Sequence, residues 1–275
     1  MMAAQDAKSP KRGAAKKAES FVLPANVSIE KDIVYAQYGS REVMLDLYLP
    51  KERTASPLPC VVVIHGGGWR SGDKQRFARH AAYLASKGFA AACIGYRLLP
   101  EVGVPECVQD CKAAVRWVRA NAARYGLDPD RIGTIGGSAG AHLVAMLGTS
   151  YKVEKLEGVG GNPGGSSRVQ AVVALAAPTN LTEMGERLGM DAATARAMSP
   201  VTYVDRDSAP LLLLHGEADQ AVPLRQSEII LAKYQAAGAS ARLVKNPKGH
   251  GFWNQELFTE TMDRAVAFFR EQLAR

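Results

Sequence analysis

A serine hydroxyl is a weak nucleophile at neutral pH, so acyl chemistry needs a histidine to take its proton and a carboxylate to orient that histidine. The chain carries such a set in order. Ser138 stands in Gly136-Gly137-Ser138-Ala139-Gly140, where the apolar run Ile132–Ile135 gives way to the helical pattern of Ala141, His142, Leu143, Val144, Met146 and Leu147. A serine at such a strand-to-helix corner holds its oxygen outward on a strained turn, and the positions two residues either side must be small, which Gly136 and Gly140 satisfy. Beyond the first turn of that helix only His215 and His250 follow. A base belongs on a loop past a strand end. His250, in NPKGHGFW, meets that condition, whereas His215 lies inside the apolar run PLLLLHG and reads as structural. Between them HGEADQAVP offers Glu217 and Asp219; Asp219 is the better orienting acid, standing further past the strand and just before a loop that enters a helix near Pro223. The plainer reading of such an aspartate is a helix cap.

Acyl transfer also needs donors aimed at the oxygen that becomes negative, each worth about 2.7–4 kcal/mol of barrier when held in place. In VVVIHGGGWRSGD three glycines directly follow a buried strand, and the amides of Gly67, Gly68 and Ala139 are the expected oxyanion hole. Taken singly, the serine motif reads equally as a glycine-rich turn and the three glycines as a flexible one. Their order along the chain is what joins them.

The elements that must position these residues follow from hydrophobic rhythm. DIVYAQY and EVMLDLYLP alternate around Gly39-Ser40, which predicts an antiparallel hairpin with one solvated face. After that, short apolar runs (CVVVIH, FAAACIGY, RIGTIG, VQAVVALAA, PLLLLHG and ARLVKN) alternate with helical segments near 75–87, 105–124, 139–149, 225–237 and 254–273. Strands buried on both faces and separated by helices predict an α/β fold with a mostly parallel sheet of eight strands, its site at the carboxyl ends of the strands.

Composition excludes several function classes. With 275 residues, 47% hydrophobic and 22% charged, the chain is ordinary for one large core, expected as a single domain over 21–275. Of the net charge of +7, Lys8, Lys11, Arg12, Lys16 and Lys17 fall in a lead-in, 1–20, expected to be disordered, which argues against a nucleic-acid partner. No apolar run there suits a signal-peptide core or a membrane span; the compartment stays open between cytoplasm and export with the signal removed, MAAQDA suiting the small-residue side of a cleavage site. Cys60, Cys93, Cys107 and Cys111 read as buried small hydrophobes. Cys107 and Cys111, four apart in a helix, lack a second pair, so no metal is expected. EGVGGNPGGSS, 157–167, reads as a flexible surface loop and lacks the Lys-Ser/Thr of a phosphate-binding loop.

HGGGW, GYRL, DCKAAVRWVRANAARYGLDPDRI, GGSAGAHL, HGEADQAVP and GHGF together resemble the α/β-hydrolase esterases related to hormone-sensitive lipase, and within them the bacterial carbohydrate and feruloyl esterase-like group. The likeness runs from about residue 28 to the C-terminus. It implies Ser138 as nucleophile, His250 as general base and acid, Asp219 as its orienter, Gly67, Gly68 and Ala139 as oxyanion donors, and His65 as a brace for the glycine loop. It implies no cofactor. The long N-terminal helical cap of many such relatives has no counterpart here, so any lid must come from the short segment 177–205.

In that segment Leu181, Met184 and Leu188 fall at helical spacing, which is most often packing but here could line a pocket. Trp69, beside the glycine loop, and Trp253, beside His250, are further pocket candidates that could stack an aromatic or sugar ring, packing being the competing reading. A short cap favours compact acyl groups or an ester protruding from a polysaccharide over long fatty chains. Asp110 is expected to pair with Arg97 or Arg116, and His80 and His142 to be surface and packing residues. Against the ester reading stand an amide hydrolase, since HGGGW is also similar to arylformamidases and the C-terminal half to prolyl-oligopeptidase-like peptidases, and a non-catalytic binder like the plant hormone receptors of this fold. The presence of all three triad types disfavours the binder. Acyl and alcohol preference and oligomeric state are not encoded in any motif.

Overall fold

The alternating run from Val27 reverses at Gly39 (φ +60°), pairing β1 (Val27–Tyr38) antiparallel with β2 (Arg41–Pro50). The apolar runs then supply β3 (Leu58–Ile64), β4 (Ala90–Ile94), β5 (Leu127–Gly137), β6 (Ala171–Leu175), β7 (Leu211–Gly216) and β8 (Ala241–Asn246). The computed structural model describes residues 21–52, 56–184, 189–254 and 256–274; the expected lead-in at 1–20 and Leu188 lie outside them. Among the described residues the strands form one eight-stranded sheet ordered β1-β2-β4-β3-β5-β6-β7-β8, parallel from β4 through β8.

Helices cover both faces, as strands apolar on both sides require. They are α1 (Ala78–Ser86), α2 (Val104–Ala120), α3 (Ala122–Tyr125), α4 (Ala139–Thr149), α5 (Ala192–Ala197), α6 (Arg225–Ala237) and α7 (Phe258–Gln272). Successive strand residues alternate between two cores: Val62, Ile64 and Ile132 pack with α2 and α4, while Val61, Val63 and Ile135 pack with α1 and α7. Register aligns the ends that matter. Ile64 pairs with Gly136, Gly137 with Leu175, and Gly216 with Asn246, so the loops after β3, β5, β7 and β8 leave one edge of the sheet together.

Some expectations give way. The expected solvated face survives only on the edge strand β1, where Glu30, Lys31, Asp32, Val34 and Gln37 are exposed; β2 is second in the sheet, and its Leu45, Leu47 and Leu49 enter one core while Tyr48 enters the other. The helix expected over 105–124 is interrupted at Asn121, where the backbone amide and the side-chain Nδ2 share the Trp117 carbonyl, at 3.0 and 2.9 Å, and cap the first helix before α3 begins. The spacing of Leu181 and Met184 yields only a 3₁₀ turn, Leu181–Glu183, and the last helix starts at Phe258 because Phe252–Asn254 closes a 3₁₀ turn first.

The glycine-rich loop at 157–167 is pinned rather than loose. Buried Arg116 donates to the carbonyls of Gly160 (2.5 Å) and Gly161 (3.2 Å), and Lys112 donates to Glu157 Oε1 and the Ser150 carbonyl, each at 2.7 Å. A cavity of about 680 Å³ lies between this loop and α2, and the buried cations beside it are already engaged. Asp110 takes Arg97 as its partner, 2.8 Å from its Nη2. All four cysteines are free and buried. Among the described residues no helix is long and apolar enough to cross a membrane.

His80, expected at the surface, is instead 2% exposed, stacked on Phe77 at 4.2 Å, and neither ring nitrogen has a hydrogen-bond partner among the described residues. Burial pushes its pKa down to about 3, and that of buried His142 down to about 4. An unfolded chain binds protons at these sites below about pH 6.5 while the folded chain does not, so stability must fall as pH drops through that window, by roughly 1.4 kcal/mol per pH unit per histidine. Urea unfolding between pH 6 and 4.5 is expected to be steeper in pH for the native chain than for His80→Leu. Equal slopes would contradict a buried, neutral His80.

Candidate active site

β5 ends at Gly137 and α4 begins at Ala139, leaving Ser138 alone to make the corner at φ +57°, ψ −121°. L-residues pay for that conformation, so the surroundings must hold it. They do so through backbone: Ser138 N–H donates to the Leu175 carbonyl at 2.8 Å, and His142 N–H donates to the Ser138 carbonyl at 3.0 Å. The flanking glycines are steric necessities. A Cβ on Gly136 would lie 2.5 Å from the Gly140 carbonyl oxygen, and one on Gly140 would lie 2.6 Å from the His65 carbonyl oxygen.

His250, on the loop after β8, reaches across to this corner. Its Nε2 lies 2.9 Å from Ser138 Oγ, and its Nδ1 lies 2.7 Å from Asp219 Oδ2. The other Asp219 oxygen accepts the amides of Ala221 and Val222, both at 2.9 Å. Burial raises the Asp219 carboxyl, but the bonds from His250 and from the Val222 amide outweigh it and hold the group below the ordinary carboxylate range. An ionised carboxylate can only accept, so the imidazole hydrogen sits on Nδ1 and Nε2 turns its lone pair to Ser138. Glu217, the alternative acid, is exposed. His215 lies at the end of β7, both nitrogens engaged, Nδ1 at 2.7 Å from Ser227 Oγ and Nε2 at 2.9 Å from the Val222 carbonyl; burial lowers its pKa.

The glycine loop after β3 approaches from the other side. Gly67 and Gly68 adopt φ of +132° and +62°, and a Cβ on Gly67 would overlap the Ser71 carbonyl. The amides of Gly67, Gly68 and Ala139 make no backbone hydrogen bond among the described residues, whereas the Gly67 carbonyl accepts from Arg70 N and Ser71 N. His65 is buried, stacked on Tyr96 at 4.5 Å, with Nδ1 2.9 Å from the Gly66 carbonyl.

The four pocket candidates fare differently. Trp69 and Trp253 are each 3% exposed, which leaves no free ring face for a sugar or aromatic ring; the expected stacking role gives way to packing. Trp253 instead meets the His250 ring edge-on at 5.2 Å, and the Trp69 indole nitrogen turns to His142 Nδ1 at 3.2 Å. Leu181 is fully buried and Met184 half-buried. Unanticipated was Gln226 of α6, 2% exposed, whose Oε1 accepts the amides of Thr179 and Asn180 and so fixes the start of segment 177–205. Nothing in local spacing marks it. Among the described residues no cluster of three or more His, Cys, Asp or Glu could hold a metal.

Strand order, the corner serine and the carboxylate and histidine on the loops after β7 and β8 define the α/β-hydrolase fold. Residues 45–234 match the BD-FAE family, and the chain belongs to that family, which is of the α/β-hydrolase esterase type. Esterase LipQ of Mycobacterium tuberculosis is 33% identical over 231 residues, which cover 76% of this chain and 53% of LipQ. The chain thus spans about half the length of the curated relatives it matches. Among solved structures, a truncated carbohydrate esterase from gut microbiota superposes with a TM-score of 0.80 at 30% identity, covering 90% of this chain and 97% of that one. The propionate-bound esterase Est2 of Thermogutta terrifontis superposes with a TM-score of 0.78 at 28% identity, covering 90% and 94%.

Proposed function

We propose that the chain is a carboxylic-ester hydrolase that works through a serine acyl-enzyme on short-chain or aromatic, acetyl- or feruloyl-type esters. The observation that carries this reading is the continuous relay from Ser138 Oγ through His250 to Asp219, at 2.9 and 2.7 Å. Ser138 Oγ attacks the ester carbonyl carbon as His250 Nε2 takes its proton, and the negative oxygen is met by the amides of Gly67, Gly68 and Ala139. As the C–O bond to the alcohol breaks, His250 returns that proton to the departing oxygen. Water then attacks the acyl-serine, its proton passing to His250 and on to Ser138 as the acid leaves. Asp219 stays ionised and orients the ring.

The short acyl preference rests on the slight cover over the site. The described part of 177–205 holds two 3₁₀ turns and a six-residue helix, with Leu181 and Met198 buried. The propionate on the Thermogutta relative and the carbohydrate-esterase name of the gut protein point the same way. Initial rates on p-nitrophenyl acetate, p-nitrophenyl octanoate, methyl ferulate and N-formylkynurenine test it. Acetate or ferulate should exceed octanoate and formamide in kcat/KM. Preference for octanoate would overturn the substrate class, preference for N-formylkynurenine the ester reading. A fluorophosphonate adduct is expected on Ser138 by peptide mass.

A further inference from the structure

We infer that His142 is a positioning residue that clamps the glycine loop, through the indole of Trp69, to segment 177–205. This rests on the proposed role of Gly67 and Gly68 as oxyanion donors. Trp69 follows Gly68 directly and holds φ +60°, a left-handed conformation that is strained for a bulky L-residue. Such strain persists only where surrounding contacts over-determine it, and the Trp69 side chain supplies one: its single donor, Nε1–H, goes to His142 Nδ1 at 3.2 Å, the rings meeting edge-on at 5.2 Å.

The acceptor is fixed in turn. His142 Nε2 lies 2.7 Å from the Met198 carbonyl, which can only accept, so the ring hydrogen sits on Nε2 and Nδ1 is left as a lone pair facing the indole. His142 is fully buried, and burial lowers its pKa to about 4, which keeps that lone pair free at neutral pH. The residue stands one helical turn after Ser138 and donates its amide to the Ser138 carbonyl. One imidazole therefore joins the loop bearing two donors, the helix bearing the third, and the cap segment at Met198. The other ties of the loop near Trp69 are local: Leu99 N to the Trp69 carbonyl, Arg70 N, Ser71 N and Ser71 Oγ onto the Gly67 carbonyl, and His65 Nδ1 against the Gly66 carbonyl; none of them reaches segment 177–205.

Trp69→Phe removes the donor and keeps an aromatic ring; His142→Phe removes both ring nitrogens; His142→Gln can still accept from Trp69 and donate to Met198. The expected result is a fall in kcat of about 10- to 100-fold in Trp69→Phe and His142→Phe with KM little changed, the scale of a small misplacement of reacting groups. A trifluoromethyl ketone, whose serine adduct places its oxyanion in the hole, should lose affinity by a similar factor. His142→Gln should recover most of the rate lost in His142→Phe, and the double variant should be no worse than either single one. Wild-type kcat in Trp69→Phe, or rate losses with unchanged ketone affinity, would overturn the clamp. Should His142→Phe fail to fold, Trp69→Phe alone decides. Fluorophosphonate labelling of the wild type separates the two levels: a labelled enzyme with unperturbed variants sinks only the clamp, and an unlabelled wild type sinks the acyl-enzyme reading with it.

Discussion

Ser138→Ala is expected to lower kcat for ester hydrolysis by about 10⁶-fold, the scale seen when a triad serine is removed. In the proposed mechanism the substitution deletes the bond-forming atom and leaves His250 Nε2 facing no proton to take, while the contacts of Asp219 with His250 and with the amides of its own loop remain. What survives should be the small acceleration over water that oxyanion amides and binding supply, about 10³–10⁴. The variant should fold, because the two backbone bonds that hold the corner do not involve the hydroxyl. Backbone strain adds a second readout. At φ +57°, ψ −121° alanine is as strained as serine, whereas glycine is free of the Cβ penalty, so Ser138→Gly should be more stable than Ser138→Ala by about 1 kcal/mol, or roughly 2–4 °C in Tm. A Gly variant melting below the Ala variant would mean the corner stores no strain. Retention of a hundredth or more of the wild-type rate by Ser138→Ala would assign the nucleophile elsewhere.

The corner was readable in advance because its steric demands act on neighbours in the chain: carbonyls of residues 65 and 140 lie where side chains at 140 and 136 would go, so glycine is imposed locally. The preference for Asp219 over Glu217 came from distance past the strand. β7 ends at Gly216, Glu217 points to solvent, and only Asp219 has turned far enough to meet both His250 and the amides of its own loop. The sheet was equally legible, since strands apolar on both faces have few other places to go.

Features settled by distant partners escaped that reading. An aromatic beside a reactive group suggests an open platform, yet Trp253 is closed in by Phe252 and by the backbone of Gly137, where an added Cβ would lie 2.8 Å from the indole. His80 carries the polarity of a surface residue, but Phe77 and Phe258 enclose it, the second from the far end of the chain. His142 read as packing because its partners lie 73 residues upstream and 56 downstream, and neither shares a periodicity with it.

Asp219→Asn separates orientation from charge, and its geometry dictates the outcome. Asp219 Oδ1 takes two backbone amides, from Ala221 and Val222, so the single carbonyl oxygen of an asparagine must occupy that position. Its NH₂ is then forced into the place of Oδ2, 2.7 Å from His250 Nδ1. Two donors cannot face each other, so the imidazole hydrogen must move to Nε2, the atom that faces Ser138 Oγ. In that tautomer the ring can no longer accept the serine proton, and the expected cost is about 10⁴-fold in kcat with substrate binding nearly intact. Fluorophosphonate labelling should slow in parallel, because it draws on the same proton transfer. By proton NMR the strongly downfield Nδ1 hydrogen of His250 should be present in the wild type and absent in the variant. A loss smaller than tenfold, with the Nδ1 resonance retained, would mean that His250 takes its orientation from some group other than Asp219, and the relay would have to be redrawn.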